Sequence, residues 1–238
     1  MNPNESSVYG RPNTFKYTMF IDDDITSPCN YRDEFDLLEN AQEGDIVTIN
    51  INSGGGRLDT TLQFISLIDT CQGHVITKLS GQACSGAAMI LLSGHEIQIS
   101  SLAELMAHSA SGGYGGKVSD IASYAKHSES HTNDIMDNIY QGFLTDEEML
   151  ELHKGKEFWM KADEISSRLE QRSKIRQEIM QEHKQAMDAE LELLTLPEPI
   201  LNKLTKKQLV DFYMERIEIQ VNEDGSYEVI PVDTTLDD

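Results

Sequence analysis

No apolar run in this 238-residue chain approaches the roughly 20 residues a helix needs to cross a bilayer. The first residues, Met1 to Pro12, are polar and lack the apolar core of a secretory leader. Nothing therefore argues for export, and a cytoplasmic location is expected. Cysteine is scarce. Cys29, Cys71 and Cys84 are odd in number, and their spacing fits neither a disulfide framework nor a zinc site. They are expected as reduced, mostly buried thiols. Positive charge is short as well: Lys and Arg total 19 against 41 Asp and Glu, a formal net charge of -22. Such a surface repels nucleic acid and anionic membranes, so neither is an expected partner. Part of the acidity gathers at the end, where residues 221–238 hold Glu223, Asp224, Glu228, Asp233, Asp237 and Asp238 and no Lys or Arg. A solubilising tail accounts for it. No dinucleotide fingerprint, phosphate loop or internal repeat occurs.

What is present reads as a soluble α/β protein, with 39% hydrophobic and 25% charged residues. Residues 1–14, rich in Asn, Ser and Pro, read as a flexible arm. Strands are expected over Phe15–Ile21, Asp45–Ile51, Val75–Leu79, Glu96–Ser100 and Leu105–Ala107. Helices are expected over Tyr31–Ala41, Arg57–Cys71, Ser85–Leu92 and Lys117–Tyr140. Thr145, with Glu148 three residues on, is a capping-box signal for another helix. The repeated strand–helix order implies an α/β domain of layered sheet and helices. From Ala162 to Leu194 the chain reads as one long helix. Pro197 and Pro199 punctuate it, Leu204–Arg216 reads as helix again, and two β-rich runs flank Asn222-Glu223-Asp224-Gly225 as a terminal hairpin.

Three features could carry chemistry. Ser85 lies in Gly81-Gln82-Ala83-Cys84-Ser85-Gly86-Ala87, between a strand and an apolar helix. Small neighbours give a nucleophile on a tight strand-to-helix turn room for substrate, although close packing alone would also account for them. Gly54-Gly55-Gly56 follows a strand; glycines there let backbone N–H groups approach a ligand, or form an ordinary loop. His108 ends a short apolar strand before a Ser/Gly-rich loop, a position open to a general base or to a surface residue. His127 and His131 are four apart on a helix, but no third ligand of suitable type is evident, so no metal is expected.

Taken together, these segments resemble the proteolytic subunit of Clp protease (ClpP). Ile51-Asn52-Ser53-Gly54-Gly55-Gly56 resembles that family's Ile-Asn-Ser-Pro-Gly-Gly. Gly81 to Ala87 resembles its nucleophile segment, Gly-Gln-Ala-Ala-Ser-Met-Gly. Met106-Ala107-His108 resembles the strand bearing its base, and Gly112-Gly113-Tyr114 with Ser119-Asp120-Ile121 the start of its long handle helix. Glu157, two residues before Trp159, matches the position of the family's acid, with Asp163 as the alternative. Glu157-Phe158-Trp159-Met160 followed by Ala162-Asp163-Glu164 looks especially like the ClpP-like head-maturation peptidases of phages. The resemblance covers roughly residues 15–168.

It implies a ClpP/crotonase-like fold of repeated β-β-α units, with a long handle helix and a mainly helical extension from 169 to 238 that ends in a hairpin. It implies a cofactor-free serine endopeptidase with Ser85 as nucleophile, His108 as base and Glu157 as orienting acid, and with Gly55, Gly56 and Gly86 as oxyanion donors. The order Ser, His, acid differs from the Ser, acid, His of α/β-hydrolases. The implied partners are copies of itself in stacked heptameric rings, an AAA+ unfoldase, and unfolded chains or a phage head protein as substrate. A catalytically silent ring subunit and a crotonase-like acyl-CoA enzyme are the alternatives. Three departures stand out. Gly54 replaces the proline, Gly86 replaces a common Met, and Ile165-Ser166-Ser167-Arg168-Leu169 replaces the usual Gly-Leu-Ile/Val-Asp ending. The first two should loosen the oxyanion site.

Overall fold

The computed structural model describes residues 14–113, 115–195, 217–221 and 226–231. Two compact units divide the chain, one ending at Arg172 and the other beginning at Ser173.

The first unit is built on a mostly parallel sheet. Strand β1 (Lys16–Ile21) pairs in parallel with β2 (Ile46–Ser53), which pairs in parallel with β3 (His74–Cys84). Along β2, alternate residues Val47, Ile49, Ile51 and Ser53 are buried, the period-2 pattern of a pleated strand. Strand β3 runs five residues past the expected Leu79 and changes neighbour on the way. Its first half pairs with β4 (Glu96–Ile99), and its last residues pair with β5 (Glu104–Ala107), both in parallel. Strand β6 (Phe158–Lys161) closes the edge, antiparallel to β5, with Ala107 opposite Phe158 and Glu104 opposite Lys161.

The helices follow the expected positions. A 3-10 turn (Pro28–Asn30) leads into α1 (Arg32–Asn40), and α2 spans Leu58–Thr70. Phe64 of α2 meets Tyr31 and Phe35 edge-on, at centroid distances of 5.3 and 4.8 Å, geometry favoured by the ring quadrupoles. Helix α3 (Gly86–Leu92) is buried at every residue. Helix α4 (Val118–Tyr140) buries only Met136, Ile139 and Tyr140, near its end; Val118, Ile121 and Tyr124 are exposed. Helix α5 (Asp146–His153) starts with the expected capping box. Thr145 Oγ1 accepts the Glu148 amide, and Glu148 Oε2 accepts the Thr145 amide.

Helix α6 (Ala162–Thr195) begins beside the capping box and continues beyond the first unit. Arg168 forks both guanidinium nitrogens onto the Glu148 carboxylate at 2.7 Å and also reaches Glu164. The neighbouring Arg168 charge and its hydrogen bonds hold the Glu148 carboxyl below its ordinary range. Arg172, 3% exposed, donates to the carbonyls of Leu92 at 2.8 Å and Ile139 at 2.7 Å. A cation thus meets the negative ends of α3 and α4.

In the second unit, β7 (Ile217–Val221) and β8 (Tyr227–Pro231) pair antiparallel, as the hairpin reading expects. The arm before Thr14, the expected helix over 204–216, the Asn222–Gly225 turn and the acidic end after 231 lie outside the described residues. One expectation is corrected: the cysteines are free, but only Cys84 is buried, while Cys71 is half-buried and Cys29 exposed. Cys29 sits in the exposed 3-10 turn, where among the described residues no layer covers it. Among the described residues no helix is long and apolar enough to cross a membrane.

Candidate active site

Ser85 stands where β3 ends and α3 begins. It is the only non-glycine residue with positive φ among the described residues, at φ 55° and ψ -124°. An L-residue there is strained, and such strain persists only where the surroundings enforce it. Two contacts do so. The Ser85 amide donates to Met106 O at 2.9 Å, which extends the β3–β5 ladder into the turn. Beneath it lies Gly55, at φ +94°. A side-chain carbon at Gly55 would come within 2.5 Å of Cys84 O and 2.8 Å of Ser85 Cβ. The turn keeps its shape because nothing larger than hydrogen lies under it.

His108 follows the last residue of β5. The ladder that anchors Ser85 to Met106 therefore also fixes where His108 emerges. Its Nε2 lies 2.8 Å from Ser85 Oγ, and both side chains are half-buried. Cys84, next to Ser85, does not compete as a nucleophile. Burial, with a smaller effect from the Glu104 charge, pushes its thiol up and holds it protonated.

The two acid candidates sit at opposite ends of β6. Ala107 is paired with Phe158, so Glu157 and His108 continue the same register. The Glu157 carboxylate is exposed and accepts the Trp159 indole N–H at 3.2 Å. Asp163 lies two residues beyond Lys161, whose partner is Glu104. At about 3.3 Å per strand residue, that end is roughly 10 Å or more from the His108 end.

The three glycine amides differ. Gly55 N donates to Ser53 Oγ at 3.1 Å and is thereby occupied. Gly56 bridges Ile25, which uses Gly55 O and the Arg57 amide as its partners. In a parallel bridge this turns the N–H of Gly56 itself away from Ile25. Gly86 is the first residue of α3, where N–H groups have no partner within the helix. Gly56 and Gly86 both line a cavity of about 690 Å³ that also contains Ser85 and His108.

The sequence model of the Clp protease family matches residues 17–168, more than half the chain. The chain belongs to the Clp protease family. It is 29% identical over 129 residues to the ATP-dependent Clp protease proteolytic subunit of Bacteroides thetaiotaomicron, covering 53% of this chain and 59% of that protein. It is 36% identical over 77 residues to the ATP-dependent Clp protease proteolytic subunit 1 of Rhodopirellula baltica, covering 32% of this chain and 34% of that protein. Each match thus spans less than two-thirds of the relative's length.

In this Clp protease chain, Asn52 and Ser53, which the motif contains but to which the sequence assigns no role, explain the Asn-Ser-Gly-Gly-Gly segment. The β2–β3 register slips between Ile51 and Ser53. Asn52 Oδ1 fills the slip by accepting the Gln82 amide at 3.2 Å, and it packs so closely on Gly81 that a side-chain carbon there would lie 2.3 Å away. Ser53, buried, donates to Asp23 O at 2.7 Å while it accepts from Gly55. Their signal was in the sequence as polar residues at the end of a buried strand, which need partners. Thr61 is a third. Its Oγ1 donates to Arg57 O and lies where a side chain on Gly86 would go, 2.4 Å from that position. A small residue after Ser85 is thus required by Thr61. Gly54, in contrast, has only ordinary contact space around it, the nearest atom being Asp24 Oδ1 at 3.8 Å. Among the described residues no group of three or more His, Cys, Asp or Glu is arranged to hold a metal ion.

Proposed function

We propose that the chain is a serine endopeptidase that hydrolyses peptide bonds of unfolded polypeptides. The observation that carries this reading is the 2.8 Å separation of Ser85 Oγ and His108 Nε2 on a strained strand-to-helix turn. With the His108 proton on Nδ1, Nε2 accepts the Ser85 hydroxyl proton as Oγ attacks the scissile carbonyl. The same imidazolium then returns the proton to the leaving amine. Glu157 orients the ring from Nδ1. Its register supports this role, and reaching the ring requires its carboxylate to turn from the Trp159 indole. The amides of Gly56 and Gly86 hold the oxyanion, each worth about 3 kcal/mol of transition-state stabilisation. The occupied amide of Gly55 gives that residue a supporting role instead.

The family resemblance supports assembly into homo-oligomeric rings. Within such a chamber, access selects unfolded chains over folded ones. Treatment of the purified protein with a fluorophosphonate probe tests the reading. Ser85 should be the labelled residue, and Ser85→Ala and His108→Ala should each lower peptide hydrolysis at least 10³-fold, in the range known for triad removal. Full hydrolysis by Ser85→Ala would refute it.

A further inference from the structure

The cavity beside Ser85 has a charge imbalance that the peptidase reading does not use. Ser85 and His108 form part of its lining, and residues of α4 form another part. Ile121, Ala125, Ser128 and Thr132 face it at helical spacing, with Glu129 and Asn133 on the flank. Glu129 is the one carboxylate among the lining residues, and it forms no ion pair among the described residues. The other titratable groups of the cavity have partners. Arg57 is neutralised by Asp59 at 2.6 Å, His108 faces Ser85, and His153 Nε2 meets Asp137 Oδ1 at 2.8 Å.

We propose that Glu129 makes this cavity selective for substrates with a lysine or arginine side chain close to the scissile bond. Long cationic side chains need two things, apolar surface for the methylene stem and an anionic or polar end for the head. Leu58, Met89 and Met136 supply the first, and Glu129 with Asn133 supplies the second. Glu129 is exposed along the cavity lining, so it attracts a cation as a solvent-screened charge, and the net charge of -22 adds attraction for cations. An acidic substrate side chain meets the same carboxylate as repulsion.

The selectivity takes its meaning from the peptidase reading, but its measurement does not depend on turnover. Fluorescent peptides that differ only in a central Lys, Arg, norleucine or Glu are titrated onto the full-length Ser85→Ala protein at physiological salt. The Lys and Arg peptides should bind about 5-fold more tightly than norleucine, the scale of a solvent-screened ion pair. Glu129→Gln should bring that ratio close to one, and Glu129→Lys should turn it in favour of the Glu peptide. Asp134→Asn, on α4 but outside the cavity, should leave the ratio as it was. Equal affinities in the Ser85→Ala protein overturn the proposal. So does a Lys/Arg preference that survives both Glu129 changes, since the attraction would then come from the general surface charge. Failure of the fluorophosphonate to label Ser85 would count against the peptidase reading alone.

Discussion

Replacing Gly55 by alanine should disable the site while the same change one residue earlier should not. The added methyl carbon at Gly55 would lie 2.5 Å from Cys84 O and 2.8 Å from Ser85 Cβ. Ordinary carbon contacts are about 3.5–4 Å, so the Ser85 turn must move by roughly 1 Å. On the peptidase reading, a displacement of that size typically costs about 10²-fold in rate, because Ser85 Oγ leaves its line with the His108 imidazole. Alanine at φ +94° adds backbone strain of about 1–2 kcal/mol, and overpacking adds about 1–3 kcal/mol. The melting temperature should fall by about 5–15 °C for a chain of this size. Gly54 has no positive φ and no neighbour closer than 3.8 Å, so Gly54→Ala should keep both labelling rate and melting temperature within experimental scatter. The assay is the fluorophosphonate labelling rate of Ser85 at a temperature where both variants are folded. Wild-type labelling by Gly55→Ala, or equal damage from both substitutions, would show that the close approach beneath the turn does not control the reactivity of Ser85.

Three further outcomes are expected. Glu157→Gln should lower kcat for a model peptide by about 10²–10⁴-fold, whereas Asp163→Asn should leave it unchanged; the reverse result would move the acid role to Asp163. Glu148 is held below its ordinary carboxyl range by Arg168, so its contribution to stability is complete above the unfolded value near 4.5 and is lost as pH falls through the lower folded value. Glu148→Gln should therefore be less stable than wild type at neutral pH, with the gap narrowing on acidification, as read by denaturant midpoints between pH 7 and pH 3. Arg172→Met should cost about 3 kcal/mol in urea unfolding, because two buried carbonyls lose charged donors; a loss under 1 kcal/mol would contradict the bracing role.

Much of this arrangement was legible in the residues. The alternation of Val47, Ile49 and Ile51 marked β2, and Thr145 with Glu148 marked the start of α5, because local chemistry decides both. The extent of β3 was hidden, since Ser80 and Gly81 interrupt its apolar pattern and the strand survives through the Asn52 contact from its neighbour. Ser85 and His108 are 23 positions apart, and no local signal joins them; only the shared ladder of β3 and β5 does. The state of Glu157 was illegible for another reason. Its register follows from pairing, but its contact with the Trp159 indole is set by a side-chain rotation that sequence pattern does not encode. Cys29 looked like a core residue by type, and only the surface turn around it shows otherwise.

The family match ends at residue 168, yet the guanidinium that ties off α3 and α4 belongs to residue 172. Cutting the chain at the apparent family boundary would leave α3, which follows Ser85, and α4 with bare terminal carbonyls in a dry interior. A fragment ending at residue 168 should therefore be less stable than one that retains α6 through Arg172, the last residue of the first compact unit.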